Sequence, residues 1–478
     1  MTTLSKFKLI AAGLVGLVVL AVAVGLLLPG INIKSQFEAT ASDALKMQVT
    51  VGGRALLRFF PSLRIVVTDI HARKEGADIA AIAEAELGIE LLPLLHNQVR
   101  IKEIVLRHPQ ITLERTRNGK FNFYTPAKVQ RSVPATSLGG VSLEHATLRY
   151  ANRQSGKVFE ARECKVEGNP VQLAQGSSAQ VMKNLSFKAK LACGQMRNDE
   201  FTASDVKLSV HGKSGILELQ PVTMRLLGGK GSGTLRADFS GAVPSYQLDY
   251  SVAQFRADEL FRSLSSQHVA EGFLDFSAKL SMQGFDAAEM TRTAQGEASV
   301  RGENLQLYIG DLDDKLSRYE SSQTFNLVDL GAFFLAGPLG PLVTKGYNFA
   351  NVFMGSEGVT AVPTLVSNWK VEQGVAQAQD VAMTTRRSRL ALQGGLDFVN
   401  HRFVDVTVAL LDDKGCARIE QKVAGSFRKP EVAKPNVLIS LAGPVRKLVA
   451  QAKDMLGAQC KVFYSGSVAP PHDASDKK

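Results

Sequence analysis

The sequence predicts a mainly β protein: an elongated antiparallel array of strands forming a groove, with few short helices, preceded by one N-terminal transmembrane helix. Three observations carry that expectation. Short runs of alternating apolar and polar residues recur along the chain, glycines or small polar clusters separate them, and one uncharged apolar run lies near the start. Alternation with period two gives a strand one oily and one wet face. Turn residues at close intervals join such strands as antiparallel neighbours.

The apolar run comes first. "LIAAGLVGLVVLAVAVGLLL", Leu9 to Leu28, carries no charge. It has about 20 residues, which at ~1.5 Å of rise each cross the ~30 Å of bilayer hydrocarbon. Lys6 and Lys8 precede it, and no charge follows until Lys34. The positive-inside rule leaves the N-terminus in the cytoplasm and exports everything after Pro29. A cleaved signal peptide is the alternative, because Ala21-Val22-Ala23 resembles a small-residue cleavage site. The run continues past it through Val24, Leu26, Leu27 and Leu28, so the expectation is an uncleaved anchor. "NLVDLGAFFLAGPLGPLV" (Asn326 to Val343) is also greasy, but Asp329, Pro338 and Pro341 interrupt it, and it reads as core.

Just after the anchor, "SQFEATASDALKM" (Ser35 to Met47) spaces Phe37, Ala41, Ala44 and Leu45 on one helical face. Strand-like runs then dominate. "NLSFKAKLAC" aligns Leu185, Phe187, Ala189, Leu191 and Cys193, and "SDVKLSVHG" aligns Val206, Leu208 and Val210. "GTLRADFSG" and "SYQLDYSVA" continue with Leu235, Ala237 and Phe239, then Tyr246, Leu248, Tyr250 and Val252. In "GFLDFSAKLSMQG" Leu274, Phe276, Ala278, Leu280 and Met282 oppose Asp275, Ser277, Lys279 and Ser281. "FVDVTVALLDD" repeats the pattern with Val404, Val406, Val408 and Leu410. "GPVRKLVAQAKDMLG" near the end is the clearest helix, with Pro444 in its first turn and Gly457 to stop it. Strands and helices of similar length do not alternate, which excludes a doubly wound nucleotide-binding fold.

The composition is that of a folded protein, 45% apolar and 21% charged. A formal charge of +11 on an exported, anchored chain points to anionic headgroups or to a plain solvated surface, not to nucleic acid. Four cysteines suit an oxidising compartment. They permit three pairings, and closure of the shorter loops favours Cys164–Cys193 with Cys416–Cys460; free buried thiols are the alternative. Neither couple has the close spacing of a zinc or redox motif.

Chemistry-bearing motifs are missing. "LLGGKGSGTLR" and "HGKSG" both fail the phosphate-loop pattern: Gly231 follows Lys230, and Lys207 stands where the first glycine before Lys213 belongs. There is no G-x-S-x-G and no H-E-x-x-H, and the eight histidines are scattered. Asp313–Asp314 and Asp412–Asp413 lie in loop-like contexts that suit solvation. The expectation is a protein that is not an enzyme, with no catalytic, cofactor or metal residues.

The N-terminal third has a specific order of features. The anchor and helix are followed by "QVTVGGRALLRFFPSLRIVVTDIHARKEG" and "IAEAELGIELLPLLHNQVRIKEIVLRHPQITLERTRNGKFNF". In this order the chain resembles the AsmA family of inner-membrane-anchored periplasmic proteins. Gly228-Gly229-Lys230-Gly231-Ser232-Gly233, Asp258-Glu259-Leu260-Phe261, Gly272, Gly284 and Gly302-Glu303-Asn304-Leu305 are similar to that family's C-terminal region. "DKGCARIEQKVAGSFRKPEV" and "CKVFYSGSVAPP" resemble the ending of one subgroup, which supports the pairing of Cys416 with Cys460.

The resemblance implies a relation to chorein-like bridge proteins, whose long curved sheet offers phospholipid an oily groove, and a role in outer-membrane lipid homeostasis. The candidate groove lining is then Leu185, Phe187, Leu191, Leu274, Phe276, Leu280 and Met282. Phospholipid, the inner membrane, and outer-membrane assembly or lipid-transport proteins are the expected partners. The expected divisions are 1–30 (cytoplasmic stub and anchor), 31–126 (N-terminal region), 127–215 (β-rich middle) and 216–478 (C-terminal region, with the helix and a polar tail). The rivals are a closed-core assembly factor and, further off, an envelope hydrolase.

Overall fold

Alternation along the chain becomes pleated strands in the computed structural model. It describes residues 33–58, 62–90, 101–119, 121–122, 136–173, 186–199, 201–264, 268–308, 310–314, 316–317, 358–433, 436–437 and 460–471. The expected anchor Leu9–Leu28, the greasy stretch 326–343 and the helix expected over 443–457 lie outside the described residues. Among the described residues, no helix is long and apolar enough to cross a membrane.

Two compact units are present: Met1–Leu226 with Gly231–Tyr246, and Leu227–Lys230 with Gln247–Lys478. The first opens with helix α1 (Ile33–Leu45), two residues earlier than its sequence pattern suggests. Lys46, in a left-handed conformation, ends it, and Phe37 and Ala41 are buried in the core it caps. Its strands are β1 (Gln48–Val51), β2 (Ala55–Arg58), β3 (Arg64–Lys74), β4 (Ala77–Ile89), β5 (Ile101–Arg115), β6 (Thr136–Leu138) and β7 (Gly140–Asn152). Then follow β8 (Val158–Leu173), β9 (Ser186–Asn198), β10 (Thr202–Lys213), β11 (Ile216–Leu226) and β12 (Gly229–Asp238).

β1 and β2 lie one after the other along one edge of β3, and β4 and β5 continue antiparallel. β5 pairs with β7 in parallel, the one departure from the antiparallel expectation among the described pairings. A parallel pair needs a crossover of a dozen residues or more, and the connection from Arg115 to Gly140 is long enough. From β7 the ladder runs antiparallel through β8, β9, β10 and β11.

A line of bulges crosses this sheet. Asp69, His108, His145, Glu163 and Asp205 take left-handed conformations at matching levels of β3, β5, β7, β8 and β10. On β9 the line meets Gly194, where an added Cβ would lie 3.2 Å from Glu163 Cβ. Bulges raise local twist and bend a strand, and the ladder shifts register at this level between β7 and β8 and between β10 and β11.

The second unit is a meander. β13 (Ser245–Arg256), most of which lies here, leads into α2 (Ala257–Leu264), β14 (Ala270–Gln283), α3 (Ala287–Thr293) and β15 (Gln295–Leu307). β16 (Thr360–Glu372), β17 (Val375–Thr384), β18 (Arg389–Asp397), β19 (Arg402–Leu411) and β20 (Ala417–Ser426) follow. β14 to β20 pair antiparallel in sequence order, and β21 (Lys429–Val432) and β22 (Asn436–Val437) both pair with β20. The two short helices are too brief, at 8 and 7 residues, to carry a long periodic pattern. α3 is set by its start: Glu289 N donates to Asp286 Oδ1 at 2.9 Å, and Phe285 N donates to Glu289 Oε2 at 2.8 Å.

β17 to β19 are buried on both faces, where alternation predicts one. The second face is covered by residues 460–471, whose Tyr464 and Val468 pack on Val366, Ala382, Ala391, Ala409 and Leu411. Tyr464 donates its hydroxyl to Asp380 Oδ1 at 2.5 Å, and buried Arg389 donates to the Val468 carbonyl at 3.2 Å. The Cys416–Cys460 disulfide fixes the start of this strap.

Candidate functional site

The apolar faces are the feature that could act on a ligand, and the ladders show how they are built. In the first unit, cross-strand register sets Val166, Leu191, Leu208 and Val222 side by side on β8 to β11. A second row joins Ala189, Val210 and Leu219, and a third joins Ala146, Cys164, Cys193 and Val206. The Cys164–Cys193 disulfide links directly opposed residues of β8 and β9 in the middle of this surface. The cluster around it draws only on β7 to β11, with no helix among the described residues. The third row is buried, whereas all members of the first two are only half-buried. The edge of the Phe187 ring lies over Gly212, where a Cβ would fall 2.3 Å from it, so that glycine is what makes room for the aromatic.

In the second unit the same kind of face is open at one place and filled at another. Leu248 and Tyr250 of β13, and Phe276, Leu280 and Met282 of β14, are half-buried. Leu274 and Ala278 are buried, Leu274 against Gly302 of β15. One strand further, Ala298 and Val300 are buried, and Trp369 on β16 is only 2% exposed. The apolar face is therefore open along β13 and β14 and filled from β15 onward. Burial raises the Tyr250 pKa, so its phenol stays neutral, and its hydroxyl is shielded from solvent without a hydrogen-bond partner.

An open trough of about 1290 Å³ in the second unit is lined mostly from the opposite face, although Phe276, Ala278, Ala298 and Trp369 also border it. It is lined by outward residues including Asp249, Asp275, Lys279, Glu297, Arg301 and Lys370. Neighbours occupy two of its carboxylates: Asp275 accepts from Gln254 N at 2.8 Å, and Asp249 lies 3.6 Å from Lys279. Asp412, Cys416 and Cys460 also cluster, but the two sulfurs are bonded to each other and Asp412 Oδ1 accepts from Cys416 N at 2.8 Å.

Of the residues singled out from the sequence, the cysteines pair as expected. Phe187 and Leu191 share one face with Leu208 and Val222; Phe276, Leu280 and Met282 share another with Leu274. Leu185 lies outside the described residues. Val166, Met196, Leu219, Val222 and Met224 belong to the same surface and were not singled out. At each bulge the apolar phase jumps from every second residue to every third, as from Ala161 to Cys164 and from Cys193 to Met196, and the period-two pattern stops there.

Compared with known proteins, residues 4–200 and 170–304 match the model of the AsmA family, well over half of the chain. No curated protein matches it.

Proposed function

Starting from the fact that this chain belongs to the AsmA family, we propose that it is a membrane-anchored envelope protein that binds phospholipid along its apolar sheet face. Passing that lipid onward, or helping a longer partner do so, is its contribution to outer-membrane homeostasis. One observation carries the reading: the rows through Leu191 and Leu208 present half-buried aliphatic side chains across four adjacent strands, with no ionised group among them. Acyl chains are the ligand such a surface suits, because each buried methylene is worth about 0.8 kcal/mol and the face offers nothing to recognise a polar body.

Leu9–Leu28 would hold the protein in the inner membrane with its N-terminus in the cytoplasm and the rest in the periplasm. Both disulfides fit that compartment. The protein works by binding rather than by catalysis. Native mass spectrometry of the detergent-solubilised full chain tests this: bound phospholipid is expected, and delipidated protein with no affinity for added phospholipid would overturn it.

A second reading has its own support. The filled face from β15 to β20 suits an assembly factor that acts through its surface. It expects no lipid in the same measurement.

A further inference from the structure

On the polar face of β8 to β10, cross-strand register collects lysines around one alanine. Lys165, Ala192 and Lys207 form one row, and Glu167, Lys190 and Ser209 form the next. On the polar face of the second unit cations sit opposite carboxylates, as Lys279 and Lys370 do on either side of Glu297. Here the pattern breaks. Lys207 has Ala192 on one side and Thr223 on the other. Lys190 does face Glu167, but that carboxylate lies 2.6 Å from Lys165. Two more carboxylates on β10 and β11 are engaged as well, Asp205 by Arg225 at 3.1 Å and Glu218 by Arg236 at 2.6 Å. Among the described residues, neither Lys190 nor Lys207 has an ion-pair partner.

These side chains line a recess of about 290 Å³, with Lys165, Glu167, Lys190, Ala192, Lys207 and Ser209 among its walls. Strands lie ~4.8 Å apart, so the Lys165 and Lys207 Cα atoms are about 10 Å apart across Ala192. Lys190, two residues along β9, is about 7 Å from Ala192. The small side chain at 192 leaves the centre open, and flexible four-carbon stems let three ammonium groups converge over it. Three cations against one carboxylate make the recess a place for an anion. A planar carboxylate is matched best by the flat fork of arginine, which is missing from this lining. Ammonium groups approaching from three sides, with a hydroxyl beside them, suit a tetrahedral group with several acceptor oxygens.

We propose that this recess binds a phosphate group, with Lys165, Lys190 and Lys207 as its cationic partners and Ser209 as a hydroxyl donor. The site goes beyond the acyl-chain reading and is independent of it. Lys190 and Lys207 alternate with Leu191 and Leu208, so the recess and the apolar rows lie on opposite faces of the same strands. The phosphate can belong to a lipid headgroup at a membrane surface or to a soluble compound; the recognising chemistry is the same.

Acylation of lysines in the detergent-solubilised full chain, followed residue by residue by mass spectrometry, tests the site. Lys279, 76% exposed on the polar face of the second unit, is the control. Inorganic phosphate should slow labelling at Lys190 and Lys207 by about twofold or more at half occupancy or above, relative to sodium chloride at equal ionic strength. Phosphatidylglycerol in mixed micelles, compared with the neutral detergent alone, is the headgroup arm. Protection in both arms assigns the site to the phosphate group on either carrier. Protection by inorganic phosphate alone assigns it to soluble phosphate, and protection by phosphatidylglycerol alone to the headgroup. Protection in neither arm, or equal protection at Lys279, overturns the proposal. Lys190→Gln with Lys207→Gln, both at exposed positions, should abolish protection of Lys165. Protection of Lys165 that persists in this variant overturns the shared site.

Discussion

At the scale of single residues, two features set stability. The disulfides close separations of 29 and 44 residues. In the chain-entropy account each contributes about 3 to 4 kcal/mol. Cys164→Ala with Cys193→Ala should therefore lower the unfolding free energy by about that much, and non-reducing peptide mapping should recover both pairs from native protein. Four alkylatable thiols would contradict the pairing. The second feature is Glu86, 3% exposed on β4. Burial pushes its carboxyl up, but hydrogen bonds from Arg64 at 2.8 Å and Arg107 at 2.5 Å outweigh it and hold the group below the usual glutamate range. With a folded pKa below the unfolded one, its contribution is complete above about 4.5 and is lost as pH falls through the folded value. Thermal midpoints of wild type and Glu86→Gln should differ at neutral pH and converge as pH falls below 4.5 and through the folded value. A constant difference would assign the effect to something other than that charge.

At the scale of elements, one strand pair contains both environments. Phe276 on β14 and Val300 on β15 are direct partners, the first half-buried and the second 1% exposed. Val300→Asp buries an unpaired carboxylate and should cost several kcal/mol, roughly 3 or more. Phe276→Asp keeps its charge hydrated and should cost about 1 to 2 kcal/mol. Lys279→Asp, on the wet face, trades an exposed 3.6 Å pair with Asp249 for solvent-screened repulsion from Asp249 and from Glu297 opposite, and should cost no more than about 1 kcal/mol. Urea unfolding of the three variants decides this, and equal losses at 276 and 300 would mean a uniformly filled face. Strand identity was legible because alternation is local: the run from Leu274 to Met282 shows in the sequence the burial pattern it has in the fold. What fills a face was not. Leu274 is buried because Gly302 opposite leaves room, and β17 to β19 lose their wet side because Tyr464 and Val468 return from far along the chain. The bulges were equally opaque. Asp205 and Glu163 look like ordinary outward residues, and only register shows that they shift the apolar phase and align with His108 and His145.

At the scale of the whole molecule, the apolar face of the first unit is filled under α1 at β1 to β5 and half-buried along two rows of β8 to β11. That of the second unit is open at β13 and β14 and filled beyond. Family membership and these faces together support lipid binding. Site-specific photocrosslinking tests that claim most directly. A photoreactive residue is placed at Leu191, Leu208 or Phe276 on the apolar faces, and at Lys190 or Lys279 on the opposite ones, in cells with labelled phospholipid. Lipid is expected on the protein from the three apolar positions and not from the two lysine positions. Capture at none of the apolar positions, or equally on both faces, would contradict it.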